Sequence, residues 1–218
     1  MQHPMPTALS RRLCVRLLAG AFALGLSACS DKGQQAPVPP GSVVLALGDS
    51  LTQGVGASAE AAWPALLAQR SGWQVVNAGV SGDESGQALA RLPDLLEAHQ
   101  PALVLVCIGG NDFLRQKSAG ATRANIDAIL RQVQAQGSRA VLIGVPALGL
   151  GAALGRPSDH DLYAELAKQH DVPLLTGAWG EVMREKALMA DAVHPNAQGY
   201  AQFADRLQAF LQQQGFWR

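Results

Sequence analysis

The sequence has little of several features that particular classes of protein require. Its 218 residues include only three cysteines, too few for a disulfide framework. Its 17 lysines and arginines equal its 17 aspartates and glutamates, and no basic patch indicates nucleic-acid binding. It has no P-loop, and the glycines at 149, 151 and 155 lack the spacing of a dinucleotide-binding loop. No G-x-S-x-G motif occurs, which argues against the typical α/β-hydrolase arrangement.

The first 28 residues have the pattern of a secretory leader. Arginines between positions 11 and 16 precede an apolar run over 17–26, which is too short to span a bilayer comfortably. Small residues end the run directly before Cys29. This junction resembles a bacterial lipobox, which implies cleavage before Cys29 and attachment of lipid to that cysteine. The alternative is a plain signal peptide that is cut nearby and leaves a free periplasmic protein.

An exported, lipid-anchored domain is therefore expected. Ser30 follows the cysteine with no acidic residue beside it, which favours the outer membrane, with the protein facing the periplasm. Residues 29–41 are rich in proline and glutamine and predict a tether. Residues 42–218 have the length of one ordinary domain. Without the three arginines of the leader, 14 basic and 17 acidic residues remain, which gives a net charge of −3.

Apolar runs and helical periodicities alternate along residues 42–218. The apolar runs predict five strands, at 43–47, 73–76, 102–108, 140–145 and 172–175. The periodicities predict helices at 60–70, 89–98 with a break at Pro93, 121–136, 159–170 and 196–214. This alternation predicts an α/β fold in which helices cover both faces of a parallel sheet, with the last strand at an edge.

Polar, glycine-rich clusters follow each of the first three predicted strands. They are Gly48-Asp49-Ser50, the segment 77–82, and Gly109-Gly110-Asn111-Asp112. Parallel sheets bind ligands beyond the carboxyl ends of their strands, and these clusters are expected to meet there. The sequence therefore predicts a site at this edge of the sheet.

Ser50, Asp191 and His194 have the chemistry of a nucleophilic triad. Ser50 follows a strand at a turn where its hydroxyl can protrude, although a helix cap is the plainer interpretation. His194 would accept the serine proton, and Asp191 can hold the Nδ1 atom of that ring. Asp49 adjoins the serine and is assigned to hydrogen bonding within the turn. The alternatives are a polar surface loop, or a metal site of His194, Asp191 and Asp112, for which no second histidine has ligand spacing.

Three groups on the same rim are candidate donors to an oxyanion. They are the backbone N–H groups of Ser50 and Gly79 and the side-chain amide of Asn111. An ordinary turn glycine and an asparagine bonded to its own backbone are the alternatives for the last two.

The remaining cysteine and histidines of the domain are expected to have ordinary structural positions. Cys107 lies in an apolar run, which indicates a buried small hydrophobic residue. The histidines outside the triad lie on predicted helices or at their ends and are expected to be solvated; they are His99, His160 and His170.

These residues together resemble the SGNH (GDSL) hydrolase family. The four blocks of the resemblance are Ser50 in Gly-Asp-Ser-Leu, Gly79 in Asn-Ala-Gly-Val-Ser-Gly, Asn111 in Gly-Gly-Asn-Asp, and Asp191 with His194 in Asp-x-x-His-Pro. The segment 82–92 is similar to the bacterial thioesterase, lysophospholipase and arylesterase branch. The resemblance spans nearly the whole chain after the tether. It implies a three-layer α/β/α sandwich with a five-stranded parallel sheet, flavodoxin-like in outline.

The resemblance also implies a serine esterase that needs no metal or cofactor. Ser50 would attack an acyl carbonyl while His194 moves the proton and Asp191 orients the ring. In this branch the loop at 146–157 helps to wall the acyl pocket, and here it is small and apolar, which suits acyl chains better than sugars. The candidate pocket residues are Phe113, Leu114, Leu148 and Leu150.

The leading expectation is an ester hydrolase that acts on lysophospholipids, aryl esters or thioesters. A carbohydrate or peptidoglycan O-deacetylase on the same scaffold, and an envelope lipoprotein with a degenerate site, are the alternatives. The complete set of site residues counts against the second of these. The expected partners are a small acyl ester and, through the anchor, a membrane, with the protein a monomer and no nucleic acid bound.

Overall fold

The computed structural model describes residues 1–2, 35–147 and 157–218. Its five strands are all parallel and lie in the order β2-β1-β3-β4-β5. They are β1 (Val43–Gly48), β2 (Gln74–Gly79), β3 (Leu103–Cys107), β4 (Arg139–Ile143) and β5 (Leu174–Leu175). The predicted α/β fold is confirmed, and β5 is the expected edge strand because it pairs with β4 alone.

Eight α-helices lie within the described ranges, together with short 3-10 helices at Ala59–Ala61 and Lys186–Leu188. The α-helices are α1 (Ser50–Gln53), α2 (Trp63–Ser71), α3 (Ser85–His99), α4 (Gly110–Leu114), α5 (Ala119–Ala135), α6 (Leu162–His170), α7 (Ala178–Arg184) and α8 (Ala197–Gln213). None of the helices in this part of the chain combines the length and hydrophobicity that a bilayer crossing requires.

The helices form one layer on each side of the sheet. The chain steps from β1 outward to β2 and then back to β3, and right-handed connections in opposite directions put their helices on opposite faces. Helix α8 contacts both α2 and α7 in one layer, where Trp179 stacks on Phe203 with ring centroids 3.6 Å apart. Helix α5 contacts both α3 and α6 in the other layer. The three-layer expectation is therefore met.

The predicted helix break at Pro93 is wrong. Helix α3 is continuous from Ser85 to His99, and Pro93 lies inside it on the solvent side. The helix begins with a capping box between Glu84 and Gln87, and it buries an apolar face against the core. A proline removes one N–H donor from a helix, and this cap and packing hold the helix together despite that loss.

Helix α6 also begins later than its periodicity predicts. The predicted first residue, Asp159, instead pairs with Pro146 in an isolated bridge. Its carboxylate accepts hydrogen bonds from the Thr176 hydroxyl and the Gly177 N–H, at 2.9 and 2.7 Å. These contacts tie the start of the segment to the carboxyl end of β5, so the helix starts at Leu162.

Part of the predicted tether is docked on the domain. We call residues 35–41 the N-terminal strap. Val38 is only 4% exposed, its N–H donates to Phe216 O at 2.7 Å, and its carbonyl accepts from Trp73 Nε1 at 3.1 Å. Gln35 N–H donates to Gln214 O at 2.7 Å. The expectation of an unpacked tether is therefore wrong for the strap, while residues 29–34 lie outside the described residues.

Candidate active site

The parallel register brings the three predicted clusters to one level of the sheet. Gly48 at the end of β1 pairs with Gly79 at the end of β2 and with Cys107 at the end of β3. The loops that follow these residues therefore leave the sheet side by side. This confirms the predicted convergence at the carboxyl edge.

Ser50 is the first residue of α1, immediately beyond β1. Asp49 caps this helix, and its Oδ1 accepts a hydrogen bond from the Leu51 N–H at 3.0 Å, as predicted for the turn. The Ser50 side chain lies near the surface of the site, with the residue 8% exposed, and its Oγ is 3.0 Å from His194 Nε2. Within the described residues, the Ser50 N–H donates to no other group.

His194 is held between Ser50 and Asp191. Its Nδ1 is 2.7 Å from Asp191 Oδ2, so Nδ1 carries the proton that Asp191 accepts, and Nε2 faces the serine. The other oxygen of Asp191 accepts from the backbone N–H groups of Val193 and His194, each at 2.8 Å. The predicted proximity of Ser50, His194 and Asp191 is therefore confirmed.

The two carboxyl groups of this site have opposite environments. Asp191 is about half exposed, and the hydrogen bonds from His194 and then from the Val193 N–H lower its pKa to about 2. Asp49 is buried, and burial raises its pKa to about 7 against the effect of the Leu51 N–H. Asp191 is therefore ionised at neutral pH, whereas Asp49 titrates there.

An open cleft of about 260 Å³ borders the Ser50–His194 pair. Its apolar lining comes from α1, α4, α7 and two loops, and comprises Leu51, Leu114, Val145, Pro146, Met183 and Val193. Its polar lining comprises Asp49, Ser50, Ser81, Gly82, Gly110, Asn111 and His194. A small molecule with an apolar part and a polar group that reaches the serine fits such a site.

Comparison with known proteins identifies the family. The model of the GDSL-like Lipase/Acylhydrolase family matches residues 46–202, which include all three members of the triad. The chain belongs to this family. Its relatives carry the names of ester-cleaving enzymes, and the chain is an ester-hydrolysing enzyme.

Three of these relatives illustrate the range of the similarity. Thioesterase 1/protease 1/lysophospholipase L1 of Escherichia coli K12 is 42% identical over 177 residues, which cover 78% of this chain and 83% of the relative. An arylesterase of Vibrio mimicus is 31% identical over 202 residues, covering 88% and 94%. Among solved structures, the psychrotrophic esterase EstA of Pseudoalteromonas superposes with a TM-score of 0.70 at 26% identity, covering 79% of this chain and 97% of that one.

The prediction that the Gly79 N–H donates to the oxyanion is wrong. The Gly79 N–H already donates to the Asn77 side chain at 3.0 Å, and Gly79 does not line the cleft. This position is a glycine for another reason, because a Cβ there would lie only 2.7 Å from Gln53 Cα in α1. Gly79 thus lets α1 pack closely against the end of β2.

Gly82, three residues further on, lines the cleft instead. It is the third residue of a turn in which the Asp83 N–H donates to Val80 O at 3.1 Å. The φ angle of Gly82 is +85°, the left-handed region that the third position of a type II turn requires. Its N–H donates to no other group within the described residues. The sequence signal for this glycine was a second glycine in the same block, and sequence spacing alone did not distinguish the two.

Asn111 reaches the cleft from the start of α4, as predicted. Its Nδ2 donates one hydrogen to Asp83 O at 2.9 Å, so the amide is fixed against the Gly82 turn and its second hydrogen is available. Asp112 does not line the cleft; it accepts from the Ser85 N–H at 2.8 Å and the Ser85 hydroxyl at 2.5 Å, and among the described residues it forms no metal-ligating cluster with His194 and Asp191. The alternative metal site, which needed Asp112 beside His194, is therefore wrong.

The structure tests two of the four predicted pocket residues. Leu114 lines the cleft, as predicted, and is 46% exposed. Phe113 does not line it, because its ring stacks on His160 with centroids 4.9 Å apart and meets Tyr163 edge-on. Leu148 and Leu150 lie outside the described residues. Met183 and Val193 line the cleft without having been predicted, since nothing in their local sequence marks them.

The histidines outside the triad are less solvated than predicted. His170 is 7% exposed at its side chain, and its Nε2 is 2.7 Å from Asp127 Oδ1. His160 is partly buried by its stack on Phe113, and His99 is also partly buried. Cys107 is fully buried, as predicted, and burial raises the pKa of its thiol to about 12.

Proposed function

We propose that the chain is a serine esterase that works through an acyl-enzyme on Ser50. The single observation that carries this proposal is the 3.0 Å distance between Ser50 Oγ and His194 Nε2, with the other ring nitrogen held by Asp191. Ser50 attacks the carbonyl carbon of the ester as its proton passes to His194 Nε2. Asp191 stabilises the resulting imidazolium, and it does so as a carboxylate.

The reaction then proceeds through two tetrahedral intermediates. The first collapses when His194 returns the proton to the departing alcohol or thiol, and the acyl group remains on Ser50. Water gives its proton to His194 and attacks the acyl carbonyl. The second intermediate collapses as His194 returns that proton to Ser50 Oγ, which releases the acid and restores the serine.

We further propose that the oxyanion is held by the N–H of Ser50, the N–H of Gly82 and the side-chain amide of Asn111. All three residues line the cleft, and the two backbone N–H groups have no other acceptor within the described residues. Donors fixed before the reaction stabilise the charge without reorganising, which is the largest contribution in many acyl-transfer enzymes.

The substrate that the cleft favours is an ester with an apolar acyl chain. Leu51, Leu114, Met183 and Val193 offer aliphatic surface beside the nucleophile. Lysophospholipids, aryl esters and thioesters carry such chains, and similar proteins are named lysophospholipase, arylesterase and thioesterase. A series of p-nitrophenyl esters of rising chain length tests this proposal. Turnover confined to acetyl esters would contradict it and would favour the deacetylase alternative.

The decisive test of the nucleophile is Ser50→Ala. We expect this variant to lose turnover of p-nitrophenyl acetate and labelling by a fluorophosphonate probe, with its melting temperature unchanged. Ser58→Ala is the matched control, because Ser58 is exposed and does not line the cleft. Unchanged turnover in Ser50→Ala, or a probe adduct elsewhere in the wild-type chain, would rule out the proposal.

We also propose that the enzyme is exported and anchored in the bacterial envelope by lipid on Cys29. The leader pattern and the cysteine that follows small residues support this location. Cys29→Ala should move the protein from the membrane fraction to the soluble periplasmic fraction, because the site of lipid attachment would be lost. Continued membrane association of that variant would contradict the anchor.

A further inference from the structure

Two side chains that lie outside the cleft hold the turn that carries Gly82. The two peptide groups that flank the Ser81–Gly82 peptide each bond a side chain from another element. The Ser81 N–H donates to Gln53 Oε1 at 2.8 Å, and Gln53 is the last residue of α1. The Gly82 carbonyl accepts from Arg115 Nη1 at 3.0 Å, and Arg115 directly follows α4.

The orientation of the peptide between these two contacts decides where the Gly82 N–H points. Gly82 is in the left-handed region and Ser81 is not, which is the pattern of a type II turn. A type I turn joins the same end residues with its central peptide rotated by roughly half a turn, which would direct the Gly82 N–H away from its present side. Glycine adopts both conformations readily, so the turn by itself does not fix the donor.

We propose that Gln53 and Arg115 are positioning residues that hold the Gly82 N–H toward the oxyanion. This inference rests on the proposed oxyanion site. Neither side chain lines the cleft, so neither is expected to touch the reacting atoms. Gln53 belongs to the helix that begins with Ser50, and Arg115 follows the helix that carries Asn111. The two contacts therefore fix the position of the Gly82 N–H relative to α1 and α4, the helices that supply the Ser50 N–H and the Asn111 amide.

The Arg115 contact is itself braced. The same Nη1 atom that donates to Gly82 O also lies 2.9 Å from Glu84 Oε1, two residues along the loop. Lys117 Nζ lies 3.4 Å from the other carboxylate oxygen. The Gln53 contact is supported because the Gln53 carbonyl accepts from Asn77 Nδ2 at 3.3 Å. Each positioning residue thus has a second contact with the segment that contains the turn, through the side chain for Arg115 and through the backbone carbonyl for Gln53.

Gln53→Met removes the acceptor for Ser81 and keeps the length of the side chain. We expect kcat on p-nitrophenyl esters to fall by roughly three- to tenfold, the effect of one neutral hydrogen bond, with KM changed less than about twofold. The rate of phosphonylation of Ser50 by a fluorophosphonate should fall by the same factor, because its transition state places charge in the same donor site. Gln74→Met is the matched control, because Gln74 is exposed on β2 and its side chain makes no hydrogen bond within the described residues.

Arg115→Ala should lower kcat by roughly ten- to thirtyfold, because a charge-assisted donor is lost. Added guanidinium ion should restore part of that loss, since it can occupy the space beside Gly82 O and Glu84. Arg70→Ala is the control, because Arg70 pairs with Asp205 at a similar distance, 2.8 Å, between α2 and α8. Guanidinium should not raise the kcat of that control, and a purely structural role for Arg115 would show no such rescue.

The two variants combined give the sharpest outcome. Because both residues hold one turn, the loss in the double variant should be smaller than the product of the single losses. The inference is overturned if Gln53→Met and Arg115→Ala each keep kcat within about twofold of wild type while Ser50→Ala is inactive. It is also overturned if KM rises and kcat does not. Activity retained by Ser50→Ala would instead overturn the proposed function.

Discussion

At the scale of single residues, Asp191 and Asp49 show how environment gives two identical side chains different protonation states. Asp191 accepts three hydrogen bonds in a half-exposed loop, and its carboxylate is favoured over the acid. Asp49 accepts one from the Leu51 N–H, and burial favours the protonated acid. Only the first can act as the permanent anion that an imidazolium requires.

Replacing Asp191 by asparagine should leave the loop intact and remove most of the activity. An asparagine at this position can present its N–H to His194 Nδ1, which stabilises the wrong tautomer of the ring. We expect kcat to fall by roughly 10⁴-fold, as in other triads, with the melting temperature little changed. Asp94→Asn is the control, since Asp94 is exposed on α3. A loss of less than about tenfold would show that Asp191 is not the orienting acid.

Replacing Asp49 by asparagine should change the pH dependence of stability. The pKa of this acid rises from 3.8 to about 7 on folding, so the folded protein binds more protons than the unfolded chain between those values. Stability therefore falls as pH rises through this window, and the cost is fully present above about 7. Asp49→Asn should melt higher than wild type at pH 8, with a smaller gain at pH 4.5. Equal differences at the two pH values would contradict this assignment.

At the scale of the element, local patterns predict where helices and strands lie better than they predict what interrupts them. Strands β1, β3 and β4 coincide with buried apolar runs, because a central strand that is buried on both faces requires such a run. Pro93 does not break α3. Whether a proline breaks a helix depends on how that helix packs against the sheet as well as on the missing N–H. Likewise, the contacts of Asp159 with Thr176 and Gly177, which delay the start of α6, join residues 17 and 18 positions apart.

The contact between α5 and α6 supplies a test of packing at this scale. His170 at the end of α6 bonds Asp127 on α5, and the His170 carbonyl accepts from Gln134 Nε2 at 2.9 Å. We expect His170→Ala to lower the free energy of unfolding by about 1–3 kcal/mol, because the buried Asp127 loses one of its partners and keeps only Gln169 and Arg131. His99→Ala at the end of α3 should cost less than about 0.5 kcal/mol. Denaturant unfolding of both variants measures the difference, and equal losses would contradict it.

At the scale of the whole molecule, the strap packs against the C-terminal segment of the domain, on the side opposite the cleft. Arg139, the first residue of β4, donates to Ala36 O, and Trp73, just before β2, donates to Val38 O. These are the amino ends of parallel strands, whereas Ser50 and Gly82 follow the carboxyl ends. The strap therefore contributes to stability at a distance of a full strand length from the chemistry.

A chain that begins at Ser42 should accordingly be less stable than one that begins at Gln35. The shorter chain loses the buried Val38 side chain and the pairing of Gln35 and Val38 with the C-terminal segment. We expect its melting temperature to be lower by roughly 5 °C, with kcat unchanged at 25 °C. Equal melting temperatures would show that the strap is a passive tether after all.

The sequence alone determined the α/β fold, the edge at which the site lies, and the proximity of Ser50, Asp191 and His194. The fold and the edge follow from hydrophobic periodicity and from residues at strand ends, both of which are local in the sequence. The proximity of the three residues was expected from their chemistry, their order in the chain and the resemblance to the SGNH family. Only the tertiary structure decided that Gly82 rather than Gly79 borders the cleft, that Phe113 turns to His160, and that the strap is docked. Each of these depends on which group a side chain or N–H meets across the fold, and that choice is made by packing between segments far apart in the chain.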